Sequence, residues 1–458
     1  MERVVITGVG PVSAIGAGRN PFWEALLAGR HGFGPITLCD VSASPSKIGA
    51  EVHDFTLEHY VENGRVLARR TPRPVQFALA AAVLALHDAE LDLDACDPKR
   101  LGIYVGTSLG SMGDLLALAE RWRGGGTIPA YAAFTAFPHS AACTLSSFFN
   151  IRGPVHTVSQ GCNSGLDAVG MACRAIQTET VDAVLVVGTD CELVPEVMAA
   201  LNASGSLSVR YNDDPGRASR PFDPDRDGNV IGEGAGAVLL EAESRAEARE
   251  ARVYARVAGY QVCSAGRNRQ YSHDNPELDT RPCTRALRGA LSEAGWVPED
   301  VDVINANGSS SVLYDRLEAA AINEVFSTSL EDLRIHSIKS MLGQHGAGSS
   351  ALQVIASALG LRRCAVPPTI NHDRLDPECA GLNVVTEAQD FAPDRVLVHA
   401  IGLGGFYYSW MVLESVDDGR SSGIGQVVWS RGGHPRFRPQ EAFREPLEPF
   451  APRTDDGG

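Results

Sequence analysis

The run SQGCNSGLDAVGMACRAI holds a cysteine, Cys162, at a place where a thiol could act as a nucleophile. Gly161 and Gly165 flank it, and the residues that follow have the pattern of a helix. A thiol at a helix N-terminus lies at the positive end of the helix dipole, so we expect the pKa of Cys162 to be lowered. Asn163 or Ser164 could cap that helix, and the small neighbours would leave room for an acyl group. The alternative is a buried, inert cysteine, and this stretch alone does not decide between the two.

The ten cysteines of the chain do not have the spacing of a metal site. No two of them form a CxxC pair and no histidine pair complements them, so we expect no metal. The first residues, MERVVITGVG, have the pattern of a β-strand and none of the features of a signal peptide. Scattered thiols in such a chain are typical of a reducing compartment, and we expect a cytoplasmic protein.

Charge argues against two classes of partner. The 458-residue chain has a formal net charge of −16, so broad affinity for nucleic acid or for an anionic membrane is not expected. No apolar run reaches the about 18 residues that a membrane helix needs. Basic residues do cluster locally, at Arg65, Arg69, Arg70 and Arg73. This basic cluster is either a solvated helix start or a docking point for an acidic partner, and the sequence leaves both open.

The elements that must position these residues alternate between short apolar runs and longer helical patterns. The runs predict strands near 3–7, 101–106, 183–188, 235–241, 251–258, 301–306 and 396–402. Helical patterns cover 75–88, 164–178, 283–294, 315–325 and 350–360. Strands that alternate with helices in this way indicate an α/β fold whose sheets are covered on both faces.

Two parts of the chain are organised alike, and a third part is different. The strand patterns near residues 3 and 301 each open a comparable series of elements, so a duplicated fold is suspected although no sequence repeat is visible. The alternation stops after Glu414. Residues 416–458 are rich in Gly, Pro, Arg, Asp and Ser, which predicts an irregular tail.

Two glycine-rich runs invite a nucleotide-binding interpretation that their spacing does not support. ITGVGPVSAIGAG follows the first strand but lacks the GxGxxG spacing, and Pro11 occupies the turn where backbone amides would face a pyrophosphate. GEGAGA, at 232–237, leads directly into a strand, which favours close backbone packing. We interpret both runs as structural.

Beyond these local patterns, the chain resembles the β-ketoacyl synthases of fatty-acid and polyketide assembly, from its first strand to about residue 414. The resemblance rests on six blocks in the family's order. The blocks are VHTVSQGCNSGLDAVGMA, SRPFDPDRDGNVIGEGAGAVLLE, VDVINANGSSSVLYDRLEAAAI, IHSIKSMLGQHGAGSSALQ, PPTINHDRLDPE and AIGLGGFYYS. The first matches the family's nucleophile loop, which identifies Cys162 as the expected nucleophile.

The resemblance implies a thiolase-like duplicated fold with five α-β-α-β-α layers. Residues 1–250 would form the N-terminal ketosynthase half with the nucleophile, 251–415 the C-terminal half, and 416–458 the tail. It also implies a dimer, formed with a second copy or with another ketosynthase subunit. No cofactor would be bound, because the acyl substrate arrives on the phosphopantetheine of an acyl carrier protein. Such carriers are acidic, which favours the basic cluster as their docking point.

Two positions depart from the family pattern in a way that bears on the reaction. Ketosynthases use a Cys-His-His set, in which the histidines hold the malonyl thioester while carbon dioxide leaves. Here Asn307 stands at the first histidine position and Gln344 at the second. A neutral amide can donate a hydrogen bond, but it cannot carry a proton near pH 7. Losing one well-placed stabilising donor costs about 10²–10³ in rate, so decarboxylative condensation should be crippled.

Other parts of the family's site are retained. Lys339 stands at its lysine position, and Glu318 and Asp315 stand at the acidic positions of the preceding helix. Ser309 and Ser311 replace two hydroxyl residues that would contact the pantetheine arm. The backbone amides of Cys162 and Leu403 correspond to the oxyanion hole.

The changed pocket residues suggest an unusual substrate, and two nearby histidines could act as substitute bases. Ile401 and Leu403 stand where the gating loop usually has Phe, Asn229 replaces another Phe, and Phe406 replaces a small polar residue. His345, next to Gln344, would enter the site after a one-residue shift in register. His399, before the gating loop, is a second possible substitute base, and an ordinary hydrogen-bonded histidine is the alternative for both.

Three functions therefore stay open from the sequence. The first is an acyltransferase that loads a carrier-bound acyl chain on Cys162 and transfers or cyclises it without extension. The second is a chain-length-factor-like partner of a competent ketosynthase, although such subunits usually lose the cysteine as well. The third is a condensing β-ketoacyl-carrier-protein synthase that uses a substitute histidine.

Overall fold

The computed structural model describes residues 2–266, 279–403 and 407–416. The strands are β1 (Val4–Ser13), β2 (Gly16–Ala17), β3 (Phe33–Pro35), β4 (Ile48–Ala50), β5 (Leu101–Gly106), β6 (Val155–Val158), β7 (Ala183–Cys191), β8 (Ile231–Ala242), β9 (Ala255–Ser264), β10 (Val303–Asn305), β11 (Arg334–His336), β12 (Ala365–Val366), β13 (Gln389–Asp390), β14 (Arg395–Ile401) and β15 (Tyr407–Glu414). Phe406 and, from residue 417 on, the expected tail lie outside the described residues.

Helices fill the connections between these strands. They are α1 (Arg19–Leu27), α2 (Gly64–Ala68), α3 (Arg73–Asp88), α4 (Met112–Arg123), α5 (Ala132–Thr135), α6 (Ser140–Phe149), α7 (Ser164–Gln177), α8 (Pro195–Ala203), α9 (Glu243–Ala248), α10 (Arg281–Ala294), α11 (Val312–Val325), α12 (Lys339–Leu342) and α13 (Gly346–Arg363). Short 3₁₀ turns lie at Leu57–His59, Pro98–Arg100, Pro215–Arg217, Pro298–Asp300 and Pro377–Cys379. In the described ranges no helix combines the length and the low polarity that a membrane span requires.

The strand order confirms the duplicated fold. The sheet runs β11-β10-β14-β15-β9-β1-β8-β7-β5-β6. If only the strands on this path are counted, each half has five, and read inward from its outer edge their order is third, second, fourth, fifth and first. The directions also match: in each half the second strand pairs in parallel with the third and fourth, and the fifth pairs antiparallel with the fourth and first. The halves meet where β1 pairs with β9.

Three buried clusters account for the five layers. One packs α3 and α6 on the outer face of the first half, against β5, β7 and β8. Another packs α10 and α11 on the outer face of the second half. The third lies between the halves and contains α7 and α13. Helix α13 is buried along residues 346–361. Most of its own side chains are small or apolar, as a helix that is covered on every side requires.

Buried ion pairs fix the segment that leads into β8. Arg226 donates to Asp376 at 2.6 Å, and its Nε lies 3.6 Å from Asp315 of α11. Arg220 donates to Asp223 at 2.9 Å and reaches Asp373 at 2.9 Å. These pairs hold residues 219–229 against both α11 and the loop around 373–376, which are the elements that surround the candidate site.

Large apolar side chains stay exposed in one stretch of the first half. They are Met112, Leu115, Trp122, Ile128, Tyr131, Phe134 and Phe137. Strand β6 is the last strand in the sheet order and is therefore an edge strand. Exposed apolar residues and an open strand edge are features that proteins usually cover with another subunit.

Candidate active site

Cys162 lies in the loop between β6 and α7, two residues before the helix begins at Ser164. Gly161 has φ 95°, a left-handed conformation that suits glycine. The Ser164 hydroxyl accepts from the Gln160 amide at 2.7 Å and donates to the Gly161 carbonyl at 2.6 Å. These bonds close the turn that presents the thiol. Neither Asn163 nor Ser164 caps α7 through its side chain, so the capping expectation was wrong.

Asn163 instead ties the nucleophile loop to the second half of the fold. Its Nδ2 donates to Asp167 at 2.7 Å and to Ser409 of β15 at 2.8 Å. Tyr260 of β9 also donates to Asp167, at 2.7 Å. Burial raises the pKa of Asp167 to about 6, against the effect of the Ser409 and Tyr260 bonds. The loop that carries Cys162 is therefore positioned by residues of both halves.

A small cavity opens beside the Cys162 sulfur. The empty space in it, including the part open to solvent, is about 220 Å³. Its walls are Cys162, Asn229, Asn307, Ser309, Tyr314, Gln344, Ile401 and Leu403. Sequence reasoning missed Tyr314, although its place in the first turn of α11, just after the serines, was a usable signal. The cavity thus brings the nucleophile together with both amides that stand at the histidine positions.

The side-chain amide of Gln344 and the backbone amide of Leu403 both lie close enough to Cys162 to lower the pKa of its thiol. The Gln344 backbone is itself fixed, because its N–H donates to Val230 at 2.7 Å and its carbonyl accepts from Gly232 at 2.9 Å. Both of these bonds are to the segment at the start of β8. The block at 219–241 therefore acts on the site by fixing the backbone of Gln344 in the cavity wall.

The expected low pKa of the thiol was wrong. Burial raises the pKa of Cys162 to about 12, and the negative charge of Glu192 adds to this effect. The nearby amides of Gln344 and Leu403 act in the opposite direction but do not outweigh burial. A position before a helix lowers a thiol pKa only where its effect exceeds that of desolvation, and for Cys162 desolvation is the larger effect. Cys162 is thus a protonated thiol at neutral pH.

This pKa predicts a pH dependence for Cys162. The thiolate is the reactive form, and below its pKa its fraction rises about tenfold per pH unit. We expect the rate of Cys162 alkylation by iodoacetamide to rise continuously from pH 7 to 9.5. Burial lowers the pKa of Lys339 to about 8, and the loss of this nearby positive charge disfavours the thiolate, so the rise should be less steep around pH 8 without levelling off.

The alkylation rate would be followed on the Cys162 peptide by mass spectrometry, with a small-molecule thiol in the same tube as the reagent control. A plateau reached by pH 8 would contradict the raised pKa.

Asn307 lines the cavity, and Lys339 is bonded to it but does not itself line the cavity. The Lys339 ammonium donates to the Asn307 backbone carbonyl at 2.8 Å, to its side-chain oxygen at 3.3 Å, and to Gln353 at 2.7 Å. The Asn307 side-chain oxygen also accepts from the Ile401 amide at 3.1 Å. Because this oxygen is turned to the protein, the NH₂ group of Asn307 is left for the cavity. A neutral donor therefore occupies the first histidine position.

The two acidic residues of α11 support the loop at 307–309. Glu318 accepts from the backbone amides of Asn307 at 2.7 Å and Gly308 at 2.8 Å. Asp315 accepts from the Ser309 amide at 3.0 Å. Burial raises the pKa of Asp315 to about 7, although Arg226 lowers it. These carboxylates shape the site through the backbone and do not line the cavity.

The structure brings neither candidate substitute histidine to the cavity. The His399 ring bonds Glu318 at 2.6 Å and stacks on Trp410 with ring centroids 3.9 Å apart. The His345 ring lies against Gly234 and Gly348, and burial lowers its pKa to about 3. Gln344 and His345 are neighbours in the chain, but only the Gln344 side chain lines the cavity.

The two serines have different surroundings. Ser309 is buried and lines the cavity. The Ser311 hydroxyl accepts from the Tyr314 amide at 3.4 Å as the N-cap of α11. Of the remodelled pocket positions, Asn229, Ile401 and Leu403 line the cavity, whereas Phe406 lies outside the described residues.

The four arginines of the basic cluster at 65–73 have different surroundings in the structure. Arg73 pairs with the buried Glu233 at 2.6 Å and donates to the Val52 carbonyl, so it stabilises the fold and is not free for a partner. Arg65 pairs with Glu58 on the surface at 3.0 Å. Arg69 and Arg70 are exposed at the end of α2. The docking point stays a prediction, and Arg73 is the arginine of this cluster that is paired with a buried carboxylate.

Two family models together match most of the chain. Residues 1–246 match the model described as Beta-ketoacyl synthase, N-terminal domain, and residues 254–373 match Beta-ketoacyl synthase, C-terminal domain. A 3-oxoacyl-[acyl-carrier-protein] synthase 2 of Coxiella burnetii is 35% identical over 411 residues, which cover 88% of this chain and 96% of that protein. The tetracenomycin polyketide synthase ketoacyl synthase alpha subunit of Streptomyces glaucescens is 36% identical over 417 residues, with coverages of 88% and 95%.

Solved structures are similar over the same extent. The ishigamide ketosynthase/chain length factor superposes with a TM-score of 0.82 at 31% identity, covering 91% of this chain and 99% of that chain. A type II polyketide synthase acyl-carrier protein in complex with its ketosynthase gives a TM-score of 0.81 at 29% identity, with coverages of 91% and 100%.

Proposed function

Because the chain belongs to the β-ketoacyl synthase family, we propose that it loads an acyl chain from a carrier thioester onto Cys162 and passes it on without decarboxylative extension. One observation carries this proposal. The cavity beside Cys162 is lined by the neutral amides Asn307 and Gln344, and no imidazole lines it among the described residues. A site of this kind keeps the nucleophile of the family but lacks its proton carriers.

The loading step exchanges one thioester for another. The Cys162 sulfur attacks the carbonyl carbon of the acyl pantetheine, the bond from that carbon to the pantetheine sulfur breaks, and the Cys162 proton ends on the departing thiol. We propose that the backbone amides of Cys162 and Leu403 hold the oxygen while it is negatively charged. In the second step an acceptor O–H, N–H or S–H attacks the acyl-Cys162, and its proton returns to the sulfur.

Extension would need a different set of groups. When a malonyl thioester loses carbon dioxide, negative charge develops on the thioester oxygen and must be held by strong donors. Asn307 can offer a neutral N–H, and the Lys339 cation behind it is already bound to Asn307 and Gln353. The thiol that is retained in the cavity wall favours an enzyme over a partner-only subunit.

The proposal includes two partners and a compartment. The donor would be an acyl carrier protein, which would meet the exposed Arg69 and Arg70, and the reaction would take place in the cytoplasm. The solved relatives are a complex with an acyl-carrier protein and a ketosynthase/chain length factor. We propose that the exposed apolar stretch at 112–137 and the edge strand β6 meet a second subunit of the same fold.

The proposed loading is tested by intact-protein mass spectrometry after incubation with an acyl carrier thioester. We expect one acyl adduct per chain, located on the Cys162 peptide, and no adduct on the Cys162→Ala variant. Loading from an acyl pantetheine thioester is measured in parallel, because it reports the chemical step without the docking of a carrier protein. Reversing the charge at Arg69 and Arg70 is expected to slow loading from the carrier and to leave loading from the pantetheine thioester unchanged.

An equal adduct on wild-type protein and on Cys162→Ala would refute Cys162 as the acceptor. Light scattering on the same sample gives the oligomeric state. A homodimer that forms the adduct alone would exclude a role limited to partnering another ketosynthase.

A further inference from the structure

The side chains of Asn163, Asp167 and Ser409 form a closed triangle of hydrogen bonds. The Asn163 side-chain nitrogen donates to one oxygen of the Asp167 carboxylate at 2.7 Å and to the Ser409 hydroxyl oxygen at 2.8 Å. The Ser409 hydroxyl donates to the other oxygen of that carboxylate at 2.6 Å. All three residues are 0% exposed. Because each side chain is bonded to both of the others and none is exposed to water, the triangle is a rigid unit.

The triangle joins the two loops that carry the backbone amides of the proposed oxyanion hole. Asn163 directly follows Cys162 in the chain. Ser409 is the third residue of β15 and is paired in register with Ala400 of β14. The connection between these two strands carries Leu403. One side of the triangle therefore belongs to the loop of the first amide, and the other side belongs to the strand pair that leads into the second.

The same two loops are in direct contact. A Cβ atom added to Gly161 would lie 3.6 Å from the Gly402 Cα and 3.7 Å from the Leu403 nitrogen. A Cβ atom added to Gly402 would lie only 2.9 Å from the side-chain oxygen of Asn163, which is closer than real Cβ contacts. The Asn163 side chain thus packs against the bare backbone at Gly402. Its position limits how closely the Leu403 loop approaches the Cys162 loop.

The carboxylate of Asp167 is the strongest acceptor in the triangle. An ionised carboxylate accepts shorter and stronger hydrogen bonds than a neutral group. Burial raises the pKa of Asp167 to about 6, so the group is ionised at pH 8. It lies in the first turn of α7, where the helix dipole favours a negative charge. Tyr260 donates to the same carboxylate at 2.7 Å from outside the triangle, which makes it a useful comparison.

We propose that Asp167 and Ser409 are positioning residues for acyl transfer, because through Asn163 they set the distance between the backbone amides of Cys162 and Leu403. The proposal rests on the acyl loading proposed above, in which these two amides hold the thioester oxygen while it is negatively charged. Both amides must lie within hydrogen-bonding distance of one oxygen, so a small change in their separation weakens the binding of the transition state.

Two reactions of the same thiol separate this role from a merely structural one. When the Cys162 sulfur attacks an acyl pantetheine thioester, the carbonyl oxygen becomes negative before the pantetheine thiol leaves with the proton. When the sulfur attacks iodoacetamide, it displaces iodide from a CH₂ carbon, the thiol proton passes to water, and no carbonyl oxygen gains a charge. Only the first reaction uses the oxyanion hole, whereas both depend on the accessibility and the thiolate fraction of Cys162.

The variants Ser409→Ala and Asp167→Asn test the proposal at pH 8, with both rates measured by intact-protein mass spectrometry on protein shown to be folded by circular dichroism. We expect the rate of loading from acyl pantetheine to fall about tenfold or more in each variant, since misplacing a stabilising group by about 1 Å can cost about 10²-fold. The rate of alkylation by iodoacetamide is expected to stay within about twofold of the wild-type rate.

Tyr260→Phe is the matched control. Like Ser409→Ala, it removes one hydroxyl that donates to Asp167, but it leaves the triangle closed. We expect it to lower the ratio of loading to alkylation by less than about threefold. An effect as large as that of Ser409→Ala would contradict a specific role for the triangle.

The remaining outcomes separate this proposal from the one on which it rests. Loading and alkylation that fall together, or an unchanged ratio in both triangle variants, would overturn the positioning role and leave acyl loading standing. No acyl adduct on the wild-type protein, with normal alkylation of Cys162, would overturn both.

Discussion

Given a malonyl carrier thioester, the wild-type protein is expected to release carbon dioxide no faster than buffer, whereas the double variant Asn307→His, Gln344→His should release it about 10²-fold faster or more. The physical reason is the charge that develops on the thioester oxygen as carbon dioxide leaves. One well-placed donor at such a site is worth about 10²–10³ in rate, and two imidazoles would replace two weak neutral amides. The supports for such imidazoles, Lys339 and Glu318, are already in place.

This rate would be measured as labelled carbon dioxide released from the carboxyl group of the malonyl thioester. The two single variants show whether one imidazole is enough, and circular dichroism confirms that each variant is folded. Release by the wild-type protein well above the buffer rate would contradict the account, because the cavity would then support decarboxylation without an imidazole.

Replacing Arg226 by Met is expected to lower the free energy of unfolding by about 3–5 kcal/mol. The Arg226 side chain is almost fully buried and is paired with Asp376 and Asp315. Met preserves the volume but removes the cation, which leaves two buried carboxyl groups without compensation. Burial already raises the pKa of Asp315 to about 7 with Arg226 present, so in the variant this group should take up a proton.

Urea unfolding of the reduced protein, followed by far-UV circular dichroism, checks this effect. Arg69→Met is the matched control, because Arg69 is exposed and its replacement should change stability by less than about 0.5 kcal/mol. A loss below about 1 kcal/mol for Arg226→Met would show that the buried ion pairs do not hold residues 219–229 in place.

The elements of the fold could be predicted from the sequence because their patterns are local. The expected helices at 75–88 and 283–294 are found as Arg73–Asp88 and Arg281–Ala294, and the expected strand at 183–188 is found within Ala183–Cys191. The order of strands within each half could not be predicted from pattern. It depends on pairing between distant segments, and the two halves share no visible sequence repeat.

The six ordered blocks predicted all but one of the residues that line the cavity. They did not predict the electrostatic surroundings of Cys162. The sign of the Cys162 pKa shift was wrong because it is set by burial and by Glu192, thirty positions along the chain in another loop. The orientation of His345 was also hidden, since adjacent residues point to different sides of the segment. Arg73 looked free in the sequence because its partner, Glu233, lies far away on β8.

Loading without extension is the central claim, and one incubation tests it directly. The protein is mixed with an acyl carrier thioester and a malonyl carrier thioester, and both the protein and the carrier-bound products are weighed by mass spectrometry. The account predicts an acyl adduct on Cys162, unchanged malonyl carrier and no β-ketoacyl carrier. A β-ketoacyl carrier whose chain is two carbons longer than the acyl donor would contradict it.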